Sequence, residues 1–198
     1  YLRGLIKDPV EESLEGLASL RVKSNIVSES YLAIINGTGG KCTNGLPDSH
    51  VTRSCLRLRK YPETQDGLEK AIREGFAMVQ VELGGECILV TGEEGVQYWK
   101  DTQTDIGISF PVNVPASTFL CATRKDEKGE FIVDAISTDG GSIPRNVSVT
   151  SGLALVRYGA LTFEEFVRKV STNPASLFGM VSKGHLGEGA DADITVLD

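Results

Sequence analysis

A chain of 198 residues with 20 Lys and Arg against 27 Asp and Glu carries a formal charge of −7. This balance excludes nucleic acid or an anionic membrane surface as the main partner, since both need a basic face. The chain has no apolar run of the roughly 18 residues or more that a membrane span needs, and its length suffices for one large domain or two small ones.

The first predicted element starts at Asp8-Pro9-Val10-Glu11, where a capping Asp precedes a Pro in the first turn, and Val10, Leu14, Leu17 and Leu20 form an apolar stripe. The stretch Asn25 to Ile35 is rich in Ile, Val and Tyr and predicts one or two strands, most clearly over Tyr31–Ile35. A glycine-rich stretch, Asn36 to Thr43, follows. A strand feeding glycines and Lys41 invites a phosphate-cradle reading, but Ile35 stands where the first glycine belongs and Cys42 where a magnesium-binding hydroxyl belongs. A flexible loop is the better expectation.

His50 lies in a proline-bearing turn and is expected at the surface, as is His185 further on. Arg53, Arg57, Arg59 and Lys60 form a local basic run, either a solvated face or an anion contact. Gln65–Gly75 predicts a helix with Leu68, Ala71 and Ile72 inward, and the strands Phe76–Val81 and Cys87–Val90 follow. This alternation points to a parallel α/β sheet or barrel. Between Trp99 and Leu120, Ile106, Ile108 and Phe110 share a face while Pro111 and Pro115 limit any strand. Four cysteines, Cys42, Cys55, Cys87 and Cys121, form no C-x-x-C pair and read as reduced thiols of a cytoplasmic protein.

Thr123–Glu130 predicts a charged turn, and Phe131–Ile136 a buried strand that stops at Ser137-Thr138-Asp139 before two glycines. Asp139 therefore stands on the C-terminal lip of a strand, where α/β folds gather ligands and catalytic groups. Phe163, Phe166, Val167 and Val170 at i, i+3, i+4 and i+7 predict an amphipathic helix, with Glu164, Glu165, Arg168 and Lys169 on its polar side. Thr162 and Glu165 have the spacing of a capping box. A second helix start falls at Ser171-Thr172-Asn173-Pro174 and runs to Gly179, then a polar turn over Lys183–Asp193 leads to a predicted strand, Ile194–Leu197.

The segments STDGGSIPRN, LTFEEFVRKVSTNPASLFGM and KGHLGEGADADITVLD together resemble the C-terminal part of the amidohydrolase superfamily, metal-dependent hydrolases on a distorted (β/α)8 barrel. Thr172, Asn173, Pro174, Ala175 and Gly179 match its helix motif, and Gly184, Leu186, Gly189, Ala192, Asp193 and Ile194 match its turn into a small β-sandwich. The resemblance covers the last third of the chain. It implies an α/β, TIM-like barrel over residues 1–182, with 183–198 as a turn and strand leading into the sandwich. The barrel is expected to be incomplete, since about 250 residues is typical.

The resemblance also implies a role for Asp139 as the aspartate that closes barrel strand eight, ligates metal and takes a proton from the attacking water. Ser142 and Arg145, in the same loop, are the candidate substrate contacts. The D-G-G-S-x-P loop resembles that of isoaspartyl dipeptidases, whose loop is one residue longer. The expected cofactor is zinc, as one or two ions, with iron or manganese as alternatives. The expected substrate is a small amide, cyclic amide, acyl amino acid or dipeptide, and a homo-oligomer stays open. The H-x-H pair of strand one and the later histidines of the family are absent from this sequence, which offers one firm ligand where a metal site needs several. A second reading therefore stands beside the first, that of a non-catalytic α/β domain serving binding or assembly.

Overall fold

The computed structural model describes residues 9–22, 25–140, 143 and 147–197. The chain divides into two compact units, one of Tyr1–Leu32, Pro115–Thr138 and Asn146–Asp198, the other of Ala33–Val114 and Asp139–Arg145.

The first unit opens with helix α1 (Pro9–Arg21), which has Glu11 and Glu12 in its first turn and Arg21 in its last, the charge order that a helix dipole favours. Leu14 is buried against Ile132 and Val133 with Val10 and Leu17 alongside, but Leu20 is half exposed. The helix ends one residue later at Arg21, whose guanidinium Nη1 donates to Ile132 O at 2.6 Å and to Asp134 Oδ1 at 2.7 Å. Strand β1 (Glu29–Tyr31) stops where the sequence predicted its clearest strand to begin. It pairs in parallel with the short strand Ala135–Ser137, Glu29 opposite Ala135 and Tyr31 opposite Ser137.

That partner strand is shorter than the predicted Phe131–Ile136. Phe131 makes an isolated bridge with Lys125, and Ile132 and Val133 are buried without strand pairing. The Asp134 carboxylate is bound by Arg21 and by the Ser28 N–H at 2.9 Å, while its own N–H donates to Ser28 O at 3.0 Å just ahead of the ladder. Helices Pro115–Thr123, Ser148–Arg157 and Phe163–Val167 surround a core of Ala122, Ile136, Leu161 and Phe166. The capping box is present as predicted: Glu165 N donates to Thr162 Oγ1 at 3.1 Å and Thr162 N to Glu165 Oε2 at 2.9 Å.

Beyond Val167 the helix widens into a π-helical turn, Arg168–Thr172, before the short helix Asn173–Leu177. The turn overturns one expectation: Lys169, assigned to the polar side, is fully buried. Residues 178–197 contain neither helix nor strand, so the predicted strand Ile194–Leu197 and the start of a sandwich are not seen among the described residues. Ile194 and Val196 are exposed and have no strand to pair with there.

The second unit is built on a four-stranded sheet, β2 (Asn36–Gly39), β7 (Gly107–Phe110), β5 (Met78–Leu83) and β6 (Glu86–Val90) in that spatial order, with β3 (Cys42–Thr43) and β4 (Leu46–Pro47) forming a separate pair. Every neighbouring pair is antiparallel, which corrects the parallel sheet expected from alternation for this part of the chain. For β5 and β6 the cause is Gly84-Gly85. Both have positive φ, 62° and 84°, and they make the two-residue turn of a tight hairpin that forces β5 and β6 to run in opposite directions. The helices are α2 (His50–Leu58), capped by Ser49, α3 (Gln65–Arg73), capped by Thr64, and α4 (Gly92–Asp101). Leu68, Ala71 and Ile72 point inward as predicted, in a core with Leu56, Val79, Trp99, Ile108 and Phe110.

The glycine-rich stretch is ordered sheet rather than loop. A Cβ at Gly40 would sit 2.5 Å from Ile108 Cγ1 and 2.8 Å from Ile106 O, so close packing dictates this glycine. Trp99 Nε1 donates to its carbonyl at 2.9 Å, and Lys41 pairs with Asp105 at 2.8 Å. The two ends of the long segment meet at Asn113, whose N–H donates to Ile34 O at 3.0 Å and whose Nδ2 donates to Ala33 O at 3.1 Å.

Helix and strand alternate from β6 to α6, and β1 with Ala135–Ser137 gives a parallel pair of the kind a (β/α) barrel uses. No closed barrel is present among the described residues. No described helix is long and apolar enough to cross a membrane.

Candidate active site

The site begins with strand β8 (Ala135–Ser137), whose Ala135 and Ile136 are buried. Its two ends are held by side chains from the helices that follow. At the start, Lys169 Nζ donates to Val133 O at 2.7 Å and Asn173 Nδ2 to Asp134 O at 2.7 Å. At the end, Ser148 Oγ, in the first turn of α6 (Ser148–Arg157), donates to Ser137 O at 3.0 Å. Ser137 Oγ is buried and has no hydrogen-bond partner among the described residues.

Asp139 follows two residues later, exposed, with φ of 46°. This left-handed conformation is one that Asp and Asn adopt more easily than other side chains. Ser142 and Arg145, the predicted substrate contacts, lie outside the described residues.

Beside the end of β8, the first unit has a cleft of about 520 Å³. Thr138 and Ser148 line it together with Phe163 and Phe166 of α7 (Phe163–Val167) and His185, Asp191 and Asp193 of the C-terminal turn. His185 is exposed, as the sequence predicts, and it lines this cleft with Thr138. Gly187 N donates to His185 Nδ1 at 3.1 Å, which leaves the proton on Nε2, 3.0 Å from Val181 O. A polar turn of low periodicity gives no signal for that placement. Lys183 pairs with both Asp191, at 2.9 Å, and Asp193, and this holds the carboxylate of Asp191 below its usual range.

His50 stands instead at the first position of α2, and Arg57 of the basic run pairs with Glu63 at 2.6 Å. The four cysteines are not paired with one another. Burial pushes the Cys42 thiol up to about 11, with Asp48 adding to it, and burial raises Cys55 as well. Neither supplies a thiolate nucleophile at neutral pH.

Among the described residues no group of three or more His, Cys, Asp or Glu could hold a metal ion. A catalytic zinc takes three protein donors and a water, so the described residues do not complete a site around Asp139.

Lys169 is the unusual charge of this region. Its Nζ lies 4.1 Å from the centroid of the Phe131 ring as well as on Val133 O. Burial lowers its pKa to about 8; Asp134, Cys121 and Glu165 pull it up and Arg21 pushes it down. The folded value lies below the free amine's 10.5, so the cost of burying the ammonium is fully present below pH 8 and fades as pH rises toward 10.5. Measured against Lys169→Met, the wild-type unfolding free energy should climb across that window, by no more than roughly 3 kcal/mol at 1.36 kcal/mol per pH unit. A difference that stays flat from pH 7 to 10.5 in urea titrations contradicts this.

Residues 116–198 match the model of the amidohydrolase family. The chain is also similar to dihydroorotases: that of Syntrophus aciditrophicus is 41% identical over 76 residues, covering 38% of this chain and 16% of the relative. That of Geobacter metallireducens is 38% identical over 132 residues, covering 56% and 31%. That of Methanosphaera stadtmanae is 50% identical over 38 residues, covering 19% and 9%. The chain thus spans less than a third of the length of these relatives. No solved structure matches it at the same level of significance.

Proposed function

We propose that this chain, whose residues 116–198 match the amidohydrolase family model, belongs to a metal-dependent hydrolase that cleaves a C–N bond with an activated water. The observation that carries the reading is Asp139 two residues beyond β8, followed by the helix and turn motifs in the family's order. The dihydroorotase relatives favour a cyclic amide among the substrate classes, ahead of acyl amino acids and dipeptides.

Amide cleavage at neutral pH requires a nucleophile stronger than water and a proton for the departing nitrogen. The Asp139 carboxylate accepts the proton of the attacking water and returns it to that nitrogen, so one group serves both halves of the reaction. Ser142 and Arg145 follow in the loop, and a guanidinium there would receive a substrate carboxylate in two parallel hydrogen bonds. A divalent ion, zinc first and iron or manganese as alternatives, would supply acidification of the bound water to a pKa of about 7. Asp139 offers it one donor, and the remaining donors are not among the described residues. The reduced thiols fit action in the cytoplasm.

The test is metal removal. Dialysis against a chelator is expected to bring turnover of dihydroorotate, an N-acetyl amino acid and an isoaspartyl dipeptide to background, and added zinc to restore the active one. Turnover that persists in protein shown by elemental mass spectrometry to be metal-free would overturn the metal-dependent reading. A folded, metal-replete chain without turnover on the panel would favour a binding or assembly role.

A further inference from the structure

The π-helical turn Arg168–Thr172 departs from the regular helix on either side of it, a departure that recurs at functional sites. Its consequence is geometric. Lys169 and Asn173 reach two successive backbone carbonyls, Val133 O and Asp134 O, each at 2.7 Å. These are the last two residues before β8; they precede its paired register with β1, where the N–H groups of Asp134 and Ala135 share one acceptor, Ser28 O, at 3.0 and 3.2 Å.

The carboxylate of Asp134 is held as well, by Arg21 Nη1 at 2.7 Å and the Ser28 N–H at 2.9 Å. The strand itself has three residues, too few for its own ladder to fix its position strongly. A slip of one residue would move the chain by about 3.3 Å and turn each side chain to the opposite face. An apolar side chain in place of Lys169 would fill the same space without burying a charge beside the Phe131 ring, so packing alone does not account for the donor.

We propose that Asn173, together with Lys169, is a positioning residue for the hydrolytic reaction: the two donors fix the register of β8 and thereby the point from which Asp139 emerges. The inference rests on the role assigned to Asp139 above. Asn173 does not touch the reacting atoms; it acts through the backbone.

The experiment compares wild type, Asn173→Leu, Asn173→Gln and Asp139→Asn, with dihydroorotate as the probe substrate. Asn173→Leu keeps the side chain's shape and removes the donor. It is expected to lower kcat by about 10- to 100-fold, the scale of a misplacement of about 1 Å, with KM little changed. Amide hydrogen exchange at Ala135–Ser137 should accelerate while the global unfolding midpoint holds. Asn173→Gln keeps an amide donor and should recover part of the lost kcat. If Asn173→Leu does not fold, Asn173→Asp, isosteric but with no donor, is read in the same way.

Wild-type kcat in a folded donor-less variant overturns the proposal, and so does a loss of kcat that only tracks the unfolded fraction. Failure of both variants to fold also overturns it, assigning Asn173 to folding alone. An inactive Asp139→Asn beside a fully active Asn173→Leu sinks this inference and spares the function. An active Asp139→Asn sinks the role of Asp139, and the positioning role with it.

Discussion

Asp139→Asn is expected to lower turnover by about 10³-fold while leaving the fold intact, within the 10²- to 10⁴-fold range of a positioned general base. The substitution is nearly isosteric and removes the charge and the proton-accepting capacity. It is also quiet for the backbone. Asp139 has a φ of 46°, and Asn tolerates the left-handed region about as well as Asp, whereas Asp139→Ala would add a backbone cost of about 1–2 kcal/mol. The side chain is exposed and belongs to none of the buried clusters among the described residues. Steady-state rates and thermal unfolding of the two proteins, measured together, separate a chemical effect from a folding one. Equal rates would remove Asp139 from the mechanism.

Phe110→Ala should have the largest effect on stability, about 3–5 kcal/mol. Phe110 is fully buried at the end of β7, opposite Asn36 of β2, and its ring lies 5.3 Å from that of Phe76 at 56°. Truncation leaves a void in the sheet core of the second unit. The chain's one tryptophan, Trp99, is fully buried in the same core and reports its unfolding by fluorescence. With a urea m-value of about 1–3 kcal/mol per M, the fluorescence midpoint should fall by more than about 1 M. A shift within the scatter of repeat titrations would show that this core does not act as the unit's cooperative centre.

The parts legible in the sequence were those in which short-range chemistry decides the structure. The Thr162–Glu165 capping box is a local pairing of hydroxyl, carboxylate and two N–H groups, and it forms as its spacing predicts. The inward face of α3, with Leu68, Ala71 and Ile72, follows from a 3.6-residue period. The family tail was readable because its glycines, its proline and its aspartate fall at fixed offsets, and residues 116–198 bear that out.

Misreadings came where a local pattern had two outcomes. Helix and strand alternation from Gln65 to Val90 suits a parallel sheet, but Gly84-Gly85 closes a hairpin, and the sheet is antiparallel. A 3.6-residue period put Lys169 outside; the π-helical turn changes the rotation per residue, so that period no longer tells which side chain faces inward. His185 is exposed, as expected; that it also lines the cleft follows from the path of an irregular turn, which no periodicity encodes. Of the three candidate site residues, the structure describes Asp139, which follows the strand end from which it was expected to project.

The most direct test of the hydrolase reading is the rate of C–N cleavage by the purified wild-type chain, measured against Asp139→Asn on dihydroorotate, an N-acetyl amino acid and an isoaspartyl dipeptide. One of these amides should be hydrolysed by the wild type, with dihydroorotate the first expectation, and by the variant about 10³-fold more slowly. Hydrolysis at the same rate by both proteins, or by neither when both are folded and supplied with zinc, would contradict the account.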